Sequence, residues 1–209
     1  GLAILGDTLF MGTIDAHLLA LDAKSGEILW NTTVASAKER YSITMSPLIV
    51  KDKVIIGTAG GDGPIRGQIA AFDVKTGKEL WRTARADVPT FGTPTIHEVG
   101  GRTQILVNGW KHMGAYDFKT GQEIWKLGGG GDIPVPTPIV GHGLVFITNS
   151  HGGRSPIYAI KETATGTLTL AAPETSSDQI VWSSADGAYM ITPVLYRDIL
   201  YVTRNNGTI

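Results

Sequence analysis

Asp62 lies in the loop TAGGDGPIRG, residues 58–67, where a carboxylate is flanked by glycines that leave backbone carbonyl and N–H groups open. Ca²⁺ takes about six to eight oxygen ligands, so one acidic side chain beside uncovered carbonyls begins a suitable shell. The same glycines admit a planar anion close to backbone N–H groups. Asp-Gly is equally an ordinary turn dipeptide, and on these residues alone both readings stand. The other reactive side chains form no such grouping. His17, His97, His112, His142 and His151 are scattered without His-x-His or helical spacing, which argues against zinc. His112 beside Lys111, and His151 near Arg154, are either residues lining a mouth or solvated loop residues. Cysteine is absent, which removes thiol catalysis and iron–sulfur ligation. The run LGGGGD, residues 127–132, lacks the Lys-Ser/Thr of a phosphate-binding loop and opens no helix.

The remaining composition narrows the partners. Among 209 residues, 18 basic and 19 acidic side chains are interspersed for a net charge of −1. No basic stripe is available for nucleic acid and no polybasic cluster for anionic lipid. No run approaches the roughly 18 apolar residues of a membrane span, so membrane insertion is not expected. Residues 1–11 lack the layout of a signal peptide, and both ends look cut. The chain is therefore expected to be a fragment, with any signal peptide lying upstream.

An internal repeat dictates the elements that hold these residues. ALDAKSGEILW (20–30), AFDVKTGKELW (71–81) and AYDFKTGQEIW (115–125) share Ala, Asp, Lys, Gly and Trp at the same offsets, and a worn fourth copy, AIKETATG, begins at Ala159. The alanines are 51, 44 and 44 residues apart, the spacing of a four-stranded propeller blade. Each copy follows an apolar hairpin pattern. LAILGDTLFMG from Leu2 aligns without a gap on PLIVKDKVIIG from Pro47, and the shape returns from Pro138 and Pro193, more loosely from Pro94.

The expected fold is thus all-β: a β-propeller of four-stranded antiparallel blades with Trp docking motifs, four blades plus part of a fifth. A single propeller segment over 1–209 divides into blades at about 2–45, 46–92, 93–136 and 137–191, with a partial one at 192–209. Asp22, Asp73 and Asp117 open the turns by accepting backbone N–H groups, and Gly26, Gly77 and Gly121 close them with positive φ. Trp30, Trp81 and Trp125 are expected between blades, each N–H on a backbone carbonyl. Residues 35–42 read as a loop with one turn. The fourth copy departs from the others: Lys161 replaces the turn Asp, and AAPETSSDQI enters before Trp182 as a surface loop. Open blade edges predict self-association or a marginal monomer.

The three copies of Ala-x-Asp-x-x-[Ser/Thr]-Gly-x-x-x-Trp resemble the repeat of pyrroloquinoline-quinone (PQQ) propellers. Residues 1–82, through GTIDAHLLALDAKSGEILW and YSITMSPLIVKDKVIIGTAGGDGPIRGQIAAFDVKTGKELWR, resemble PQQ-dependent methanol and ethanol dehydrogenases. That resemblance implies that Thr44 contacts the quinone, that Ala59, Gly60 and Gly61 line it, and that Asp62 holds Ca²⁺. The family has Glu where this chain has Asp62, a carboxylate with shorter reach. From about residue 90 onward, GTPTIHEVGGRTQILVNGWKHMGAYDFKTGQEIW and its continuation resemble the outer-membrane assembly-factor-like PQQ-repeat propellers, which are non-catalytic. The dehydrogenases' quinone-flooring Trp, Asn metal ligand, Asp base and vicinal cysteines have no counterpart here.

Two functions follow from the resemblance. One is a periplasmic quinoprotein segment, with PQQ and Ca²⁺ as cofactors and a small alcohol oxidised by hydride transfer to the quinone, the catalytic base lying outside this window. The other is a non-enzymatic scaffold that binds protein partners or serves envelope assembly.

Overall fold

The computed structural model describes residues 1–60, 65–86, 90–204 and 206–209. The chain divides into two compact units, Gly1–Ala86 and Asp87–Ile209. Among the described residues there is no α-helix; a single 3-10 turn, Ala37–Glu39, interrupts the loop expected at 35–42. No helix is long and apolar enough to cross a membrane among those residues.

In the first unit, β1 (Leu2–Leu5), β2 (Thr8–Gly12), β3 (His17–Asp22) and β4 (Ile28–Thr33) form one antiparallel sheet in chain order. A second sheet follows in the same order: β5 (Leu48–Val50), β6 (Lys53–Gly57), β7 (Gln68–Asp73) and β8 (Glu79–Ala84). Its core lies between the sheets, where Phe10, Leu18 and Ala20 of the first meet Val54, Ile56, Ala70 and Phe72 of the second.

The repeated residues build this joint. Ala20 is the cross-strand partner of both Phe10 and Trp30, and its small side chain lets the two rings approach to 5.9 Å. Phe146, Ala159 and Trp182 repeat the arrangement with rings 6.0 Å apart. Trp30 Nε1 donates to the Val74 carbonyl at 3.3 Å, and Thr32 Oγ1 to the Gly77 carbonyl at 2.7 Å, so the outer strand of one blade grips the turn of the next. At Gly77 a Cβ would stand 2.5 Å from the Trp30 ring, so this glycine serves both the positive φ of 68° and the tryptophan's seat. Within the turns, the Lys24 and Ser25 N–H groups donate to Asp22 Oδ1 at 3.0 and 2.7 Å, and Lys75 and Thr76 treat Asp73 alike at 3.1 and 2.8 Å.

In the second unit, β9 (Thr95–Val99), β10 (Arg102–Val107), β11 (Met113–Asp117) and β12 (Glu123–Leu127) form one sheet, and β13 (Ile139–Gly141), β14 (Leu144–Thr148), β15 (Ile157–Lys161) and β17 (Ile180–Ser184) another. The hairpin of β18 (Val194–Tyr196) and β19 (Ile199–Tyr201) follows. Between β15 and β17 the chain makes an excursion that the repeat did not foretell. Residues Gly166–Leu168 form β16, which pairs in parallel with β12 and turns that sheet into five strands, order β16-β12-β11-β10-β9. The residues after it, up to β17, carry no strand, as expected of a surface loop.

β16 changes the docking of Trp125. This residue is completely buried, yet its Nε1 has no hydrogen-bond partner. The carbonyl of Glu162, the counterpart of Val74, instead accepts Gln104 Nε2 at 3.2 Å. The expectation that each docking tryptophan reaches a backbone carbonyl therefore holds for Trp30 and fails for Trp125, because the worn fourth turn offers its carbonyl to Gln104 and the tryptophan is covered by β16.

Candidate functional site

The segment before β5 alternates in the manner of a strand, and that alternation positions Thr44. Ile43 is buried and Met45 is packed on the same core, while Thr44 between them is exposed. Two constraints hold the register. The Ile43 N–H donates to the Thr13 carbonyl at 2.9 Å, and the Gly57 N–H contacts Met45 Sδ at 3.2 Å. A Cβ at Gly12 would overlap the Ile43 side chain, so Gly12 is the recess into which Ile43 fits.

Ala59 and Gly60 reach the same end of the sheet through an isolated bridge. Ser42 and Ala59 exchange backbone hydrogen bonds at 3.1 and 2.8 Å, which brings the start of the glycine-rich loop alongside the Thr44 segment. Gly60 has φ of 117°, and a Cβ there would overlap the Arg40 carbonyl and come within 2.6 Å of Ile65 Cδ1. Arg40, at φ 72°, ends the 3-10 turn. Beside Ala59, Thr58 Oγ1 is shielded from solvent without a hydrogen-bond partner. The structure thus pairs Ala59 with Ser42, two residues before Thr44, and puts Gly60 against the Arg40 carbonyl; Gly61 and Asp62 lie outside the described residues.

This arrangement offers hydroxyl donors from Thr44 and Thr58, with backbone uncovered at Gly60. Those groups suit the carboxylates of a planar anionic quinone. A metal is a different matter: among the described residues no three His, Cys, Asp or Glu side chains are grouped to hold one. Asp15, on the β2–β3 turn whose Thr13 carbonyl anchors Ile43, is held below the ordinary carboxylate range chiefly by the Thr13 hydroxyl. It is a charged neighbour of this end of the sheet.

The second unit carries a buried polar network that lies outside the sequence motifs. Asn149 and Asn108 are buried. Asn149 Nδ2 donates to Asn108 Oδ1 and to the Gly109 carbonyl, both at 2.8 Å, while the Gly131 N–H donates to Asn149 Oδ1 at 2.6 Å. Asn108 Nδ2 donates to the carbonyls of Pro136 and Thr148 at 2.8 and 2.9 Å. A sequence signal existed: laid on PLIVKDKVIIGT, PIVGHGLVFITN puts Asn149 at the position of Thr58. Where the first unit has an orphan hydroxyl, the second has an amide with its capacity used.

The candidate histidines are engaged by other side chains. His112 is buried against Glu123 and Tyr116. His151 meets Asp132 at 2.6 Å and stacks on Tyr189 with centroids 5.4 Å apart, while its hairpin partner Arg154 is joined to it through backbone hydrogen bonds. Next to them a cavity of about 260 Å³ is lined by Ser150, Ser155, Asp186, Tyr189 and Arg204. It is crossed by the Arg204–Asp186 ion pair and falls below the ~300 Å³ at which pockets for small molecules begin.

The family model described as outer membrane protein assembly factor BamB matches residues 1–209. Among curated proteins, quinohemoprotein alcohol dehydrogenase ADH IIB of Pseudomonas putida is 45% identical over 82 residues, 39% of this chain and 12% of that protein. The lanthanide-dependent methanol dehydrogenase of Methylacidiphilum fumariolicum is 42% identical over 81 residues, 39% of this chain and 13% of that protein. The matched stretch is thus a small part of these relatives' length. Among solved structures, a europium-containing methanol dehydrogenase superposes with a TM-score of 0.60 at 18% identity, covering 90% of this chain and 45% of that one. BamB from Moraxella catarrhalis gives 0.51 at 16% identity, over 97% of this chain and 80% of that one. At these identities the structures speak for the propeller fold, shared by both kinds of protein.

Proposed function

We propose, because the chain belongs to the PQQ-repeat family described as outer membrane protein assembly factor BamB, that its first two blades form one wall of a quinone site in a periplasmic quinoprotein-like propeller. The observation that supports this is the Ser42–Ala59 bridge, which joins the start of the glycine-rich loop to the segment that carries exposed Thr44. Identity above 40% to two alcohol dehydrogenases over some eighty residues supports it.

In this reading Thr44 donates its hydroxyl to the quinone, and Ala59, Gly60 and Gly61 allow the ring system to lie against backbone. Bound PQQ would supply the hydride acceptor for a small alcohol. The chain's own part is binding and orientation. Asp62 is the proposed Ca²⁺ ligand, and its carboxylate would act with groups contributed from elsewhere in a larger site.

A titration with PQQ, with and without Ca²⁺, tests this directly through quinone absorbance and melting temperature. Saturable binding weakened by Thr44→Val is expected; no change in either signal at saturating quinone would overturn the reading. If binding is seen, Asp62→Ala is expected to remove its calcium dependence.

A second reading is a propeller that binds protein partners in envelope assembly without a cofactor. The family match across residues 1–209 favours it. It is distinguished by the same titration, which would then show no quinone binding.

A further inference from the structure

The start of the glycine-rich loop in the first unit has a counterpart in the second. Laid on PLIVKDKVIIGTAG, residues 47–60, the stretch PIVGHGLVFITNSH, residues 138–151, puts Ser150 at the position of Ala59 and His151 at that of Gly60. The backbones agree. Ser150 forms an isolated antiparallel bridge with Ile133, as Ala59 does with Ser42. The likeness extends to an unusual dihedral angle, a φ of 117° at Gly60 and of 132° at His151. Glycine adopts that conformation without steric cost, whereas a residue with a side chain holds it only under strain. A histidine therefore stands where the loop calls for glycine.

Two contacts fix that imidazole. His151 Nδ1 meets Asp132 Oδ1 at 2.6 Å, and the ring stacks on Tyr189 with centroids 5.4 Å apart and planes inclined by 25°. An ionised carboxylate only accepts, so Nδ1 carries the hydrogen and Nε2 is the nitrogen available to a ligand. Beside this stack lies the cavity of about 260 Å³, with Tyr189, Ser150, Ser155, Asp186 and Arg204 in its lining. The Ser150 and Ser155 hydroxyls meet at 2.6 Å, and the Gly187 N–H donates to the Ser155 carbonyl at 2.7 Å. A Cβ at Gly187 would overlap the Pro156 carbonyl and Thr148 Oγ1, so glycine is required for the two loops to meet there. Backbone strain, an oriented imidazole and a polar cavity thus coincide in one place.

We propose that this cavity binds a small neutral compound rich in hydroxyl groups, a polyol or a monosaccharide, with His151 hydrogen-bonding it from the rim. The chemistry of the walls sets the class. Asp186 and Arg204 are paired with each other, so their charges cancel and neither an anion nor a cation is favoured. Serine hydroxyls rotate to donate or accept, which matches a ligand whose hydroxyls do both. Tyr189 adds an apolar ring against which the carbon skeleton can lie. The volume lies below the range of pockets for drug-sized ligands and cofactors, and suits a ligand of monosaccharide size or less. Strained residues cluster at ligand sites because the surrounding structure holds them there for the sake of the side chain, and His151 follows that rule. The site does not depend on quinone binding.

Titration with D-glucose and with glycerol, followed by NMR of the His151 and Tyr189 rings, tests this. Saturable shifts of both rings with at least one of the two probes are expected, and acetate and methylammonium serve as charged comparators. His151→Gly is expected to weaken binding roughly three- to tenfold, the loss of one hydrogen bond. Because it also relieves the strained φ, its melting temperature by circular dichroism is expected to be unchanged or raised. Ser155→Ala keeps the backbone bond to Gly187 and is expected to weaken binding at an unaltered melting temperature. The absence of a saturable shift with either neutral probe, or tighter binding of acetate or methylammonium, would overturn the proposal. So would a His151→Gly chain that melts earlier and binds as before, which would make the histidine structural, or binding indifferent to Ser155→Ala.

Discussion

Asn149 donates its side-chain amide to the side-chain carbonyl of Asn108 at 2.8 Å across the two blades of the second unit, and both residues are sealed from solvent. The bond closes a network that also holds the N–H groups of Gly109 and Gly131. Buried amides of this kind are favourable only as a complete set, since each one lost leaves another donor or acceptor without water or partner. Asn149→Ala is therefore expected to destabilise the chain by about 2–4 kcal/mol in urea denaturation. The double change with Asn108→Ala should cost clearly less than the sum of the two single ones, because they break the same network.

The parallel pairing of β16 with β12 leads to a second expectation. Leu168 is buried in the core that contains Trp125, with its neighbour Thr167 opposite Lys126. Leu168→Ala leaves a cavity there and is expected to lower stability by about 2–3 kcal/mol. Because β16 covers Trp125, the same variant should increase quenching of tryptophan emission by acrylamide. A loss of stability with unchanged quenching would show that the core gives way without uncovering the ring.

The contrast between Trp30 and Trp125 shows how far the sequence reaches. A tryptophan repeated at a fixed offset states that a blade joint exists, and the alanine paired between Phe10 and Trp30 explains why the rings fit. The hydrogen bond of Trp30 follows from the intact turn at Asp73. That of Trp125 is expected from the repeat and is missing, because the Glu162 carbonyl accepts Gln104 and because Gly166–Leu168, three residues with no periodicity, pair with β12. Such a contact depends on tertiary fit, which no local pattern carries. At the candidate site, Thr44 came from family likeness, while the burial of Ile43 and Met45 on either side of it is a finding of the structure. Asn149 was written in the repeat alignment, yet asparagine carries no chemistry that a motif search seeks.

Acid should weaken the first unit's turns. Asp73 is held below the ordinary carboxylate range first by the Thr76 hydroxyl and then by the Thr76 N–H, and Asp22 chiefly by the Ser25 N–H. A carboxylate whose pKa is lower folded than unfolded contributes stability that is fully present above its unfolded value. That contribution is lost as pH falls through the folded one. Melting temperature is therefore expected to fall below about pH 4. Asp73→Asn should lower it by a few degrees at neutral pH and flatten the acid limb, since the amide cannot gain the proton. An acid limb as steep as in the unaltered chain would assign the pH dependence to other carboxylates.

Gly60 links stability to the proposed quinone wall. Its φ of 117° is a conformation that side chains rarely adopt, and a Cβ would meet the Arg40 carbonyl and Ile65. Gly60→Ala is expected to destabilise the chain by about 1–3 kcal/mol. Because Ala59 next to it pairs with Ser42, the displaced backbone should also loosen that bridge. Faster amide hydrogen exchange at Ala59 and Ser42, with the exchange of β11 and β15 unchanged, is the expected signature. If Gly60 lines the quinone, PQQ affinity should fall more than global stability accounts for. Thr44→Val supplies the comparison, since exposed Thr44 contributes a hydroxyl and little packing, and its change should lower affinity at an unaltered melting temperature.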